Sequence, residues 1–319
     1  MKKISVIMAV YNEPIEYITA AVESVLNQSF NDFEFIIVLD NPVNLIAKEC
    51  LVQYANKDNR IKILINDENI GLALSLNKAL KVSTSNYIAR MDADDISYPN
   101  RFEEEYNYLE KHKDIDVVSC NKIYIDEQGT CIGKGRSLNL SVEQIGKILK
   151  FSNIILHSGV MMRRYSVLSV NGYRNFPTTQ DRDLWCRMIS KGKKIAILDK
   201  YLLEYRINKN SISENKALKQ ALISFYIEKL HRLQLSYQTD DFSPENLSNF
   251  LRLHKVEDEK ELCKYKEARS YYNSARIAIS NKKYLAGVWK IIEAYFSHYL
   301  LRHRIYNEIK VYLIKTHKM

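Results

Sequence analysis

Four apolar segments, each followed by polar residues, constrain the fold of this chain more than any other feature. They span residues 4–10, 33–39, 61–65 and 87–91, and patterns typical of amphipathic helices separate them. Continuous apolar segments are typical of strands covered on both faces, and their alternation with helices indicates a parallel sheet wrapped by helices. We therefore predict an α/β fold with a ligand site along the edge where these strands end.

The fourth segment ends in three carboxylates within four positions, Asp92, Asp94 and Asp95. Carboxylates this close repel one another, and a bound cation removes the repulsion. Mg²⁺ and Mn²⁺ prefer oxygen ligands and commonly share their coordination with substrate phosphates. The residues alone leave two interpretations open. Either they form a metal–diphosphate site, or two of them cap the helix near Pro99 while Asp92 faces solvent.

Strand patterns end near residue 207, and long helical patterns follow. We predict a sheet domain over residues 1–213 and a basic, α-helical region over residues 214–319. Residues 264–319 contain twelve Lys and Arg but only three Asp and Glu, so the net charge of +9 belongs to this region alone. A nucleic-acid-binding protein would carry its basic charge on the recognition domain, whereas the sheet domain here is neutral.

An apolar stripe with several aromatic residues recurs at helical spacing in the basic region. Its members are Leu285, Val288, Trp289, Ile292, Tyr295, Phe296, Tyr299 and Leu300. Lysines and arginines flank the stripe, which suits an anionic membrane surface. A helical bundle packed on the sheet domain is the alternative, and both can hold at once.

The five cysteines are scattered and lack the paired spacing of metal-binding motifs. This usage predicts a reducing compartment and argues against a disulfide framework or a structural zinc. No run approaches the roughly 20 apolar residues of a spanning helix. We expect a cytoplasmic protein that is peripheral at the inner face of the cell membrane.

Six motifs resemble, in order and spacing, those of family 2 glycosyltransferases with the GT-A fold. They are residues 6–12, 36–40, 69–72 with Asn77, 89–95, 157–161 and 180–185. The resemblance covers about residues 3–213 and implies a mostly parallel central sheet, to which the C-terminal α-helical region is added. It implies an inverting, metal-dependent hexosyl- or N-acetylhexosaminyltransferase. The donor would be a UDP-sugar, and the acceptor a saccharide or polyprenyl-linked saccharide in surface-polysaccharide synthesis.

The resemblance also implies roles for individual residues. Asp181 matches the catalytic base, Asp94 matches a direct ligand of Mn²⁺ or Mg²⁺, and Asp92 matches a contact to the ribose or to a metal-bound water. Asp40 matches the residue that pairs with the nucleotide base, although Leu39 replaces an Asp that is frequent in the family. The whole donor site would comprise Val10, Tyr11, Asn12, Glu13, Asp40, Asn69, Gly71, Asn77, Arg90, Asp92, Ala93 and Asp94.

The acceptor side, or the layer supporting it, would comprise Asp95, His157, Gln180, Trp185 and Arg206. Structural alternatives stay open for most of these positions. Asp181 is also placed to cap a helix, and His157 and Trp185 suit an apolar core. Asn69 and Gly71 suit an ordinary helix start, and Arg206 suits a phosphate contact. Asn208 stands where the family often has histidine, so an imidazole contact is lost there.

Two further functions are weaker. A sugar-phosphate nucleotidyltransferase needs a glycine-rich loop with basic residues after its first strand, and residues 9–13 contain neither glycine nor a basic residue. A catalytically dead scaffold would not need Asp92, Asp94 and Asp181 together.

Overall fold

A computed structural model describes residues 2–207 and 214–316 of the chain. The chain forms two compact units. The first comprises Met1–Gly146 and Ile154–Asn208, and the second comprises Lys147–Asn153 and Lys209–Met319. The predicted boundary at residue 213, and Asn208 with its expected loss of a histidine, lie outside the described residues.

The first unit begins with the predicted strand–helix alternation. Its elements are β1 (Ile4–Val10), α1 (Ile15–Leu26), β2 (Phe33–Leu39), α2 (Leu45–Lys57), β3 (Ile61–Ile65), α3 (Leu72–Val82) and β4 (Tyr87–Asp92). The four strands are parallel in the order β3-β2-β1-β4, with Ala9 of β1 opposite Asp92 of β4. Their carboxyl ends therefore meet at one edge, as predicted from the apolar segments.

The rest of this unit extends the same sheet with strands of both directions. Its elements are β5 (Ile96–Ser97), α4 (Arg101–Lys111), β6 (Val117–Ile125), β7 (Cys131–Lys134), α5 (Val142–Leu149), a 3₁₀ turn (His157–Gly159), β8 (Val160–Arg163), α6 (Arg164–Leu168), α7 (Gln180–Ser190) and β9 (Ile195–Arg206). Strand β8 runs antiparallel to both β4 and β6, whereas β9 runs parallel to β6 and antiparallel to β5. The sequence predicts a strand over residues 117–125 followed by a hairpin turn over residues 126–130. This hairpin is confirmed, because β7 pairs antiparallel with β6.

The sequence predicts an apolar strand over residues 154–162, interrupted at residues 157–159, and two further strands over residues 194–198 and 202–206. The structure differs in these bounds. The apolar run at residues 154–162 yields only the short strand β8, because His157–Gly159 forms a 3₁₀ turn before it. Residues 195–206 form one continuous strand instead of two, since irregular pairing with β6 carries the strand across its more exposed middle.

Continuous burial explains why β1 and β2 form the centre of the sheet. Nearly every side chain of these strands is fully buried, and helix α1 packs Ile18, Ala21, Val22 and Val25 against them. Burial of this many aliphatic and aromatic side chains is the main force stabilising the unit.

The second unit is helical where it is described. Its helices are α8 (Glu214–Tyr237), α9 (Pro244–Leu253), α10 (Glu259–Ser280), α11 (Tyr284–Ser297) and α12 (Tyr299–Lys315). A buried polar network joins two of them: Glu228 accepts hydrogen bonds from Asn307 and Arg232 and pairs with His303 at 2.8 Å. Burial alone would raise the pKa of Glu228, but these three partners lower it to about 2. Within the described ranges, no helix has both the length and the apolar character needed to cross a bilayer.

Candidate active site

The acidic turn after β4 brings three carboxylates together. Ligand oxygens of Asp92, Asp94 and Asp95 all lie within 4.8 Å of one another, the only such group of three acidic, histidine or cysteine ligands in the part of the chain that is described. Asp95 is buried, while Asp92 and Asp94 are partly exposed. The buried body of β4 fixes this turn at the sheet edge, where β1 also ends.

Repulsion and burial perturb the acid groups of this turn. Burial, together with the charges of Asp92 and Glu13, raises the pKa of Asp94 to about 7. Burial, together with the charges of Asp92 and Asp94, raises the pKa of Asp95 to about 8. A divalent cation would stabilise the charged forms, and clustered carboxylate oxygens are the donor set that Mg²⁺ and Mn²⁺ prefer. The residues present therefore fit such an ion.

Arg90 forms the cationic side of this cluster. It lies two positions before Asp92, on the same face of β4, and its guanidinium pairs with the Asp92 carboxylate. The Arg90 side chain is 1% exposed, and its Nε and Nη1 atoms have no hydrogen-bond partner among the described residues. Buried donors without partners are costly, so they favour an additional acceptor at this place.

The pair formed by His157 and Tyr173 lies beside Arg90. The His157 Nε2 and the Tyr173 hydroxyl are 2.8 Å apart, and the His157 ring centre is 6.1 Å from that of Trp185. Burial lowers the pKa of His157 well below its ordinary value, and the charge of Arg90 acts in the same direction. His157 is therefore a neutral hydrogen-bonding group. The core interpretation holds for Trp185, whose side chain is fully buried.

Tyr173 is a site residue that sequence reasoning missed. Asn77 holds it in place: the Asn77 amide nitrogen donates to the Tyr173 carbonyl at 2.7 Å, and the Tyr173 amide donates back to the Asn77 side-chain oxygen at 2.8 Å. Asn77 was expected to contact the donor, but its side-chain amide is engaged with the backbone of Tyr173. The two residues are 96 positions apart, so no local pattern reveals the contact.

Asp181 lies in the first turn of α7 and is partly exposed. The alternative that it caps this helix is wrong, because the N-cap position is Thr179, with a left-handed φ of 57°. Burial is the main cause that raises the pKa of the Tyr173 hydroxyl, and the negative charges of Asp181 and Asp92 both raise it as well. Gln180, next to Asp181, is buried at the start of the helix.

The neighbouring Asp183 has a structural role. It is buried and pairs with Arg187 at 2.8 Å and with Arg174 at 3.5 Å. The sequence predicts that Asp183 caps a helix or pairs with Arg182 or Arg187, and the pairing with Arg187 is confirmed. Asp183 is therefore buried, whereas Asp181 in the same helix is partly exposed.

The Asp40 carboxylate is occupied within the protein. One oxygen accepts from the Asn66 side chain at 2.7 Å and from the Ile70 amide at 2.9 Å, and the other accepts from the Gly71 amide at 2.9 Å. Asp40 therefore supports the turn that starts α3. The helix-start interpretation of Gly71 is confirmed, since Gly71 is the N-cap of α3 with a φ of 86°, which favours glycine. Base pairing by Asp40 stays a prediction.

The end of β1 supplies polar groups to the same edge of the sheet. The Glu13 carboxylate accepts from the Tyr11 amide at 2.7 Å, and the Asn12 side chain accepts from Asn41 at 2.6 Å. Burial raises the pKa of Glu13, and Asp92 is among the charges that act on it. The expectation that Val10 belongs to the donor site is corrected for its side chain, which is fully buried in the core. Only the backbone of Val10 borders this edge. The small side chain of Ala93 is buried as well.

Arg206, at the end of β9, holds the acidic turn in place by hydrogen bonds. Its amide donates to the Asp95 carboxylate at 3.0 Å, and its Nε donates to the Asp94 carbonyl at 2.9 Å. The same guanidinium donates to the Asp126 carbonyl at 2.9 Å. These contacts correct the expectation that Arg206 meets phosphate, since its guanidinium is engaged with backbone carbonyl groups.

Arg101 at the start of α4 is a second residue that sequence reasoning missed. Its side chain is fully buried and donates to the backbone carbonyl groups of Arg90 and Ser158, both at 2.9 Å. It thus joins β4, which carries the acidic turn, to the 3₁₀ turn that carries His157.

Comparison with known proteins agrees with this geometry. The model of the family described as "Glycosyl transferase family 2" matches residues 5–171. An uncharacterized glycosyltransferase of Methanocaldococcus jannaschii is 36% identical over 228 residues, which cover 72% of this chain and 79% of that protein. The O-antigen biosynthesis glycosyltransferase WbnJ of Escherichia coli is 34% identical over 226 residues, covering 70% of this chain and 84% of WbnJ.

A solved structure shares the fold along most of the chain. The Staphylococcus aureus protein TarS, residues 1–349 in complex with UDP-GlcNAc, superposes with a TM-score of 0.59. The match covers 97% of this chain and 90% of that one, at 16% sequence identity. The expected GT-A architecture, an α/β domain followed by a C-terminal helical region, is confirmed.

Proposed function

The chain belongs to glycosyl transferase family 2, and from this membership we propose that it is an inverting, metal-dependent enzyme acting on a nucleotide sugar. The observation that carries the proposal is the convergence of three carboxylates and the buried Arg90 at the carboxyl end of β4. Such an arrangement suits a metal-bound diphosphate, because the cation and the guanidinium both offset its negative charge.

Asp94 and Asp92 would hold the Mg²⁺ or Mn²⁺ ion, with Asp94 as the direct ligand and Asp92 toward the ribose or a metal-bound water. When bound, the ion would stabilise the charge that develops on the departing diphosphate. Asp95 and Arg206 would position the turn instead of contacting the acceptor. Their mutual hydrogen bond and the burial of Asp95 support this assignment.

Asp181 would act as the general base. Its carboxylate would take the proton of the acceptor hydroxyl while that oxygen bonds to the anomeric carbon and the bond from this carbon to the diphosphate oxygen breaks. Attack opposite the leaving group inverts the anomeric centre. Asp181 is partly exposed, and its charge and that of Asp92 both act on the Tyr173 hydroxyl. Both observations support a position of Asp181 near the acidic turn.

The donor we propose is a UDP-sugar that carries a hexosyl or N-acetylhexosaminyl group. Tyr11, Asn12 and Glu13 at the end of β1 would border it, and the resemblance at Asp40 favours uracil. The solved complex of TarS with UDP-GlcNAc has the same fold and is in line with this choice.

The acceptor we propose is a saccharide, free or linked to a polyprenyl lipid, in the synthesis of a surface polysaccharide. The name of the relative WbnJ, an O-antigen biosynthesis enzyme, supports this class. An enzyme that extends a lipid-linked saccharide works where the lipid is, at the inner face of the cell membrane.

Calorimetric titration with nucleotides tests the donor site without an acceptor. We expect UDP to bind in the presence of Mn²⁺ or Mg²⁺ and to lose most of its affinity in EDTA, with GDP weaker than UDP. A screen of UDP- and GDP-sugars with released nucleoside diphosphate as the readout then identifies the sugar. Equal, metal-independent binding of UDP and GDP would contradict both the metal site and the base preference.

A further inference from the structure

Helix α11 presents its large apolar side chains to solvent. Leu285, Val288, Trp289, Ile292 and Phe296 are between 42% and 91% exposed. Their spacing of three, four, seven and eleven positions from Leu285 places them on one face of the helix. These five residues form what we call the apolar face of α11. The stripe predicted from the sequence ends there, since Leu300 is buried in the next helix.

The opposite side of α11 is made of small residues and is buried. Gly287 and Ala294 are seven positions apart, on the side that packs against α10. A Cβ atom on Gly287 would lie 2.6 Å from a side-chain carbon of Ile279, so the two helices are in close contact at this point. The usual arrangement of a surface helix is reversed, because small residues face the protein while large apolar residues face outward. A contiguous exposed face of this kind marks an interaction surface.

Positive charge borders the apolar face. Lys282 and Lys283 are exposed immediately before α11, and the Arg302 guanidinium lies 5.6 Å from the ring centre of Tyr295. The one acidic residue of the helix, Glu293, is already paired with Lys290 at 2.7 Å and accepts from the Trp289 indole at 3.1 Å. The border therefore carries uncompensated positive charge.

We propose that the apolar face of α11 inserts into the surface of an anionic lipid bilayer. Fourteen residues span only about 21 Å as a helix, which is too short to cross the bilayer core. The helix would lie in the interface plane, with Trp289 and Phe296 below the headgroups and the lysines at their level. A second copy of the chain is disfavoured as the occupant, because a two-fold contact would bring the same positive borders together.

Binding of α11 to a bilayer does not depend on the proposed function. Only its purpose, bringing the enzyme to a lipid-linked acceptor, rests on that function. Its test needs neither donor nor acceptor. The full chain is mixed with vesicles of phosphatidylcholine, alone or with phosphatidylglycerol, and binding is measured by flotation. Trp289 serves as an internal probe, because the other tryptophan, Trp185, is fully buried. We expect flotation with the anionic vesicles and a blue shift of tryptophan emission.

Two pairs of matched variants make the test specific. The double variant Leu285→Ser/Phe296→Ser should lower partitioning into anionic vesicles at least tenfold. Its control is Leu253→Ser, which changes a leucine that is 77% exposed elsewhere in the same unit and should leave partitioning unchanged. The double variant Lys282→Glu/Lys283→Glu should lower binding to anionic vesicles by about tenfold or more. Its control, the double variant Lys48→Glu/Lys57→Glu, should leave this binding unchanged. Circular dichroism of each variant confirms that it is folded.

Three outcomes would overturn the proposal. They are the absence of flotation with anionic vesicles, equal flotation with neutral ones, or a doubling of the mass in solution that Phe296→Ser abolishes. Release of nucleoside diphosphate with a soluble saccharide acceptor should be the same in wild type and the α11 variants. Absence of flotation of the wild-type chain with intact transfer therefore rejects the surface alone, and intact flotation of the wild-type chain without transfer rejects the proposed function alone.

Discussion

Arg90 and Asp92 form an ion pair between adjacent side chains of one strand face, and the two partners differ sharply in burial. The Arg90 side chain is 1% exposed, whereas that of Asp92 is 32% exposed. A buried guanidinium depends on its carboxylate, because removal of one partner leaves an uncompensated charge in the interior. The pair thus links the acidic edge of the site to the stability of the sheet.

Asp92→Ala should lower the free energy of unfolding by about 2–3 kcal/mol, less than for a fully buried pair because solvent reaches the Asp92 carboxylate. Arg90→Met removes the buried charge itself. The double variant should therefore be more stable than the sum of the two single effects predicts. Urea denaturation of all four proteins measures the coupling, and strict additivity would show that the pair contributes nothing.

Asp94→Asn should weaken Mn²⁺ binding and metal-dependent UDP binding by roughly tenfold to a hundredfold, because one anionic ligand becomes neutral. Asp32→Asn is the matched control, since Asp32 precedes β2 at the opposite edge of the sheet and its side chain is 45% exposed. Titration calorimetry with Mn²⁺, alone and with UDP, measures both. Unchanged metal affinity in Asp94→Asn would remove Asp94 from the ligand set.

Asp181→Asn should lower the turnover number by about 10²–10⁴-fold while leaving donor affinity near that of the wild type, because only proton transfer is lost. Kinetics with the identified donor and a saccharide acceptor separate kcat from KM. The stability of Asp181→Asn should match that of wild type, whereas Asp183→Asn should destabilise the protein because Asp183 is buried and paired. Full turnover in Asp181→Asn would reject the general-base role.

The sequence predicts the parallel half of the sheet well because its strands are apolar at almost every position, and it predicts the acidic edge because parallel strands end together. It is less informative where a contact joins distant residues. Asn77 and Tyr173, or Arg101 and Ser158, meet through hydrogen bonds that leave no periodic pattern. Likewise, nothing local in the sequence reveals the three donors within the protein that hold the Asp40 carboxylate.

Burial also decides the behaviour of a carboxyl group away from the acidic edge. Glu105 and Arg101, on α4, are both fully buried, and the Glu105 carboxylate lies 3.5 Å from the Arg101 Nε. Burial raises the pKa of Glu105 to about 8 from its ordinary value of 4.5, although the charge of Arg101 opposes the shift. The folded protein therefore holds this proton more tightly than the unfolded chain does.

The sign of the resulting pH dependence follows from this difference in proton affinity. The contribution of protonated Glu105 to stability is complete below about pH 4.5 and is lost as the pH rises through about 8.

Glu105→Gln keeps a neutral side chain of the same shape at every pH. The variant should gain stability relative to wild type between pH 5 and pH 8, by on the order of 3 kcal/mol. Glu103→Gln, on the exposed side of the same helix, should follow the wild-type profile. Urea denaturation at a series of pH values measures these differences, and parallel profiles for Glu105→Gln and wild type would show that Glu105 does not titrate in this range.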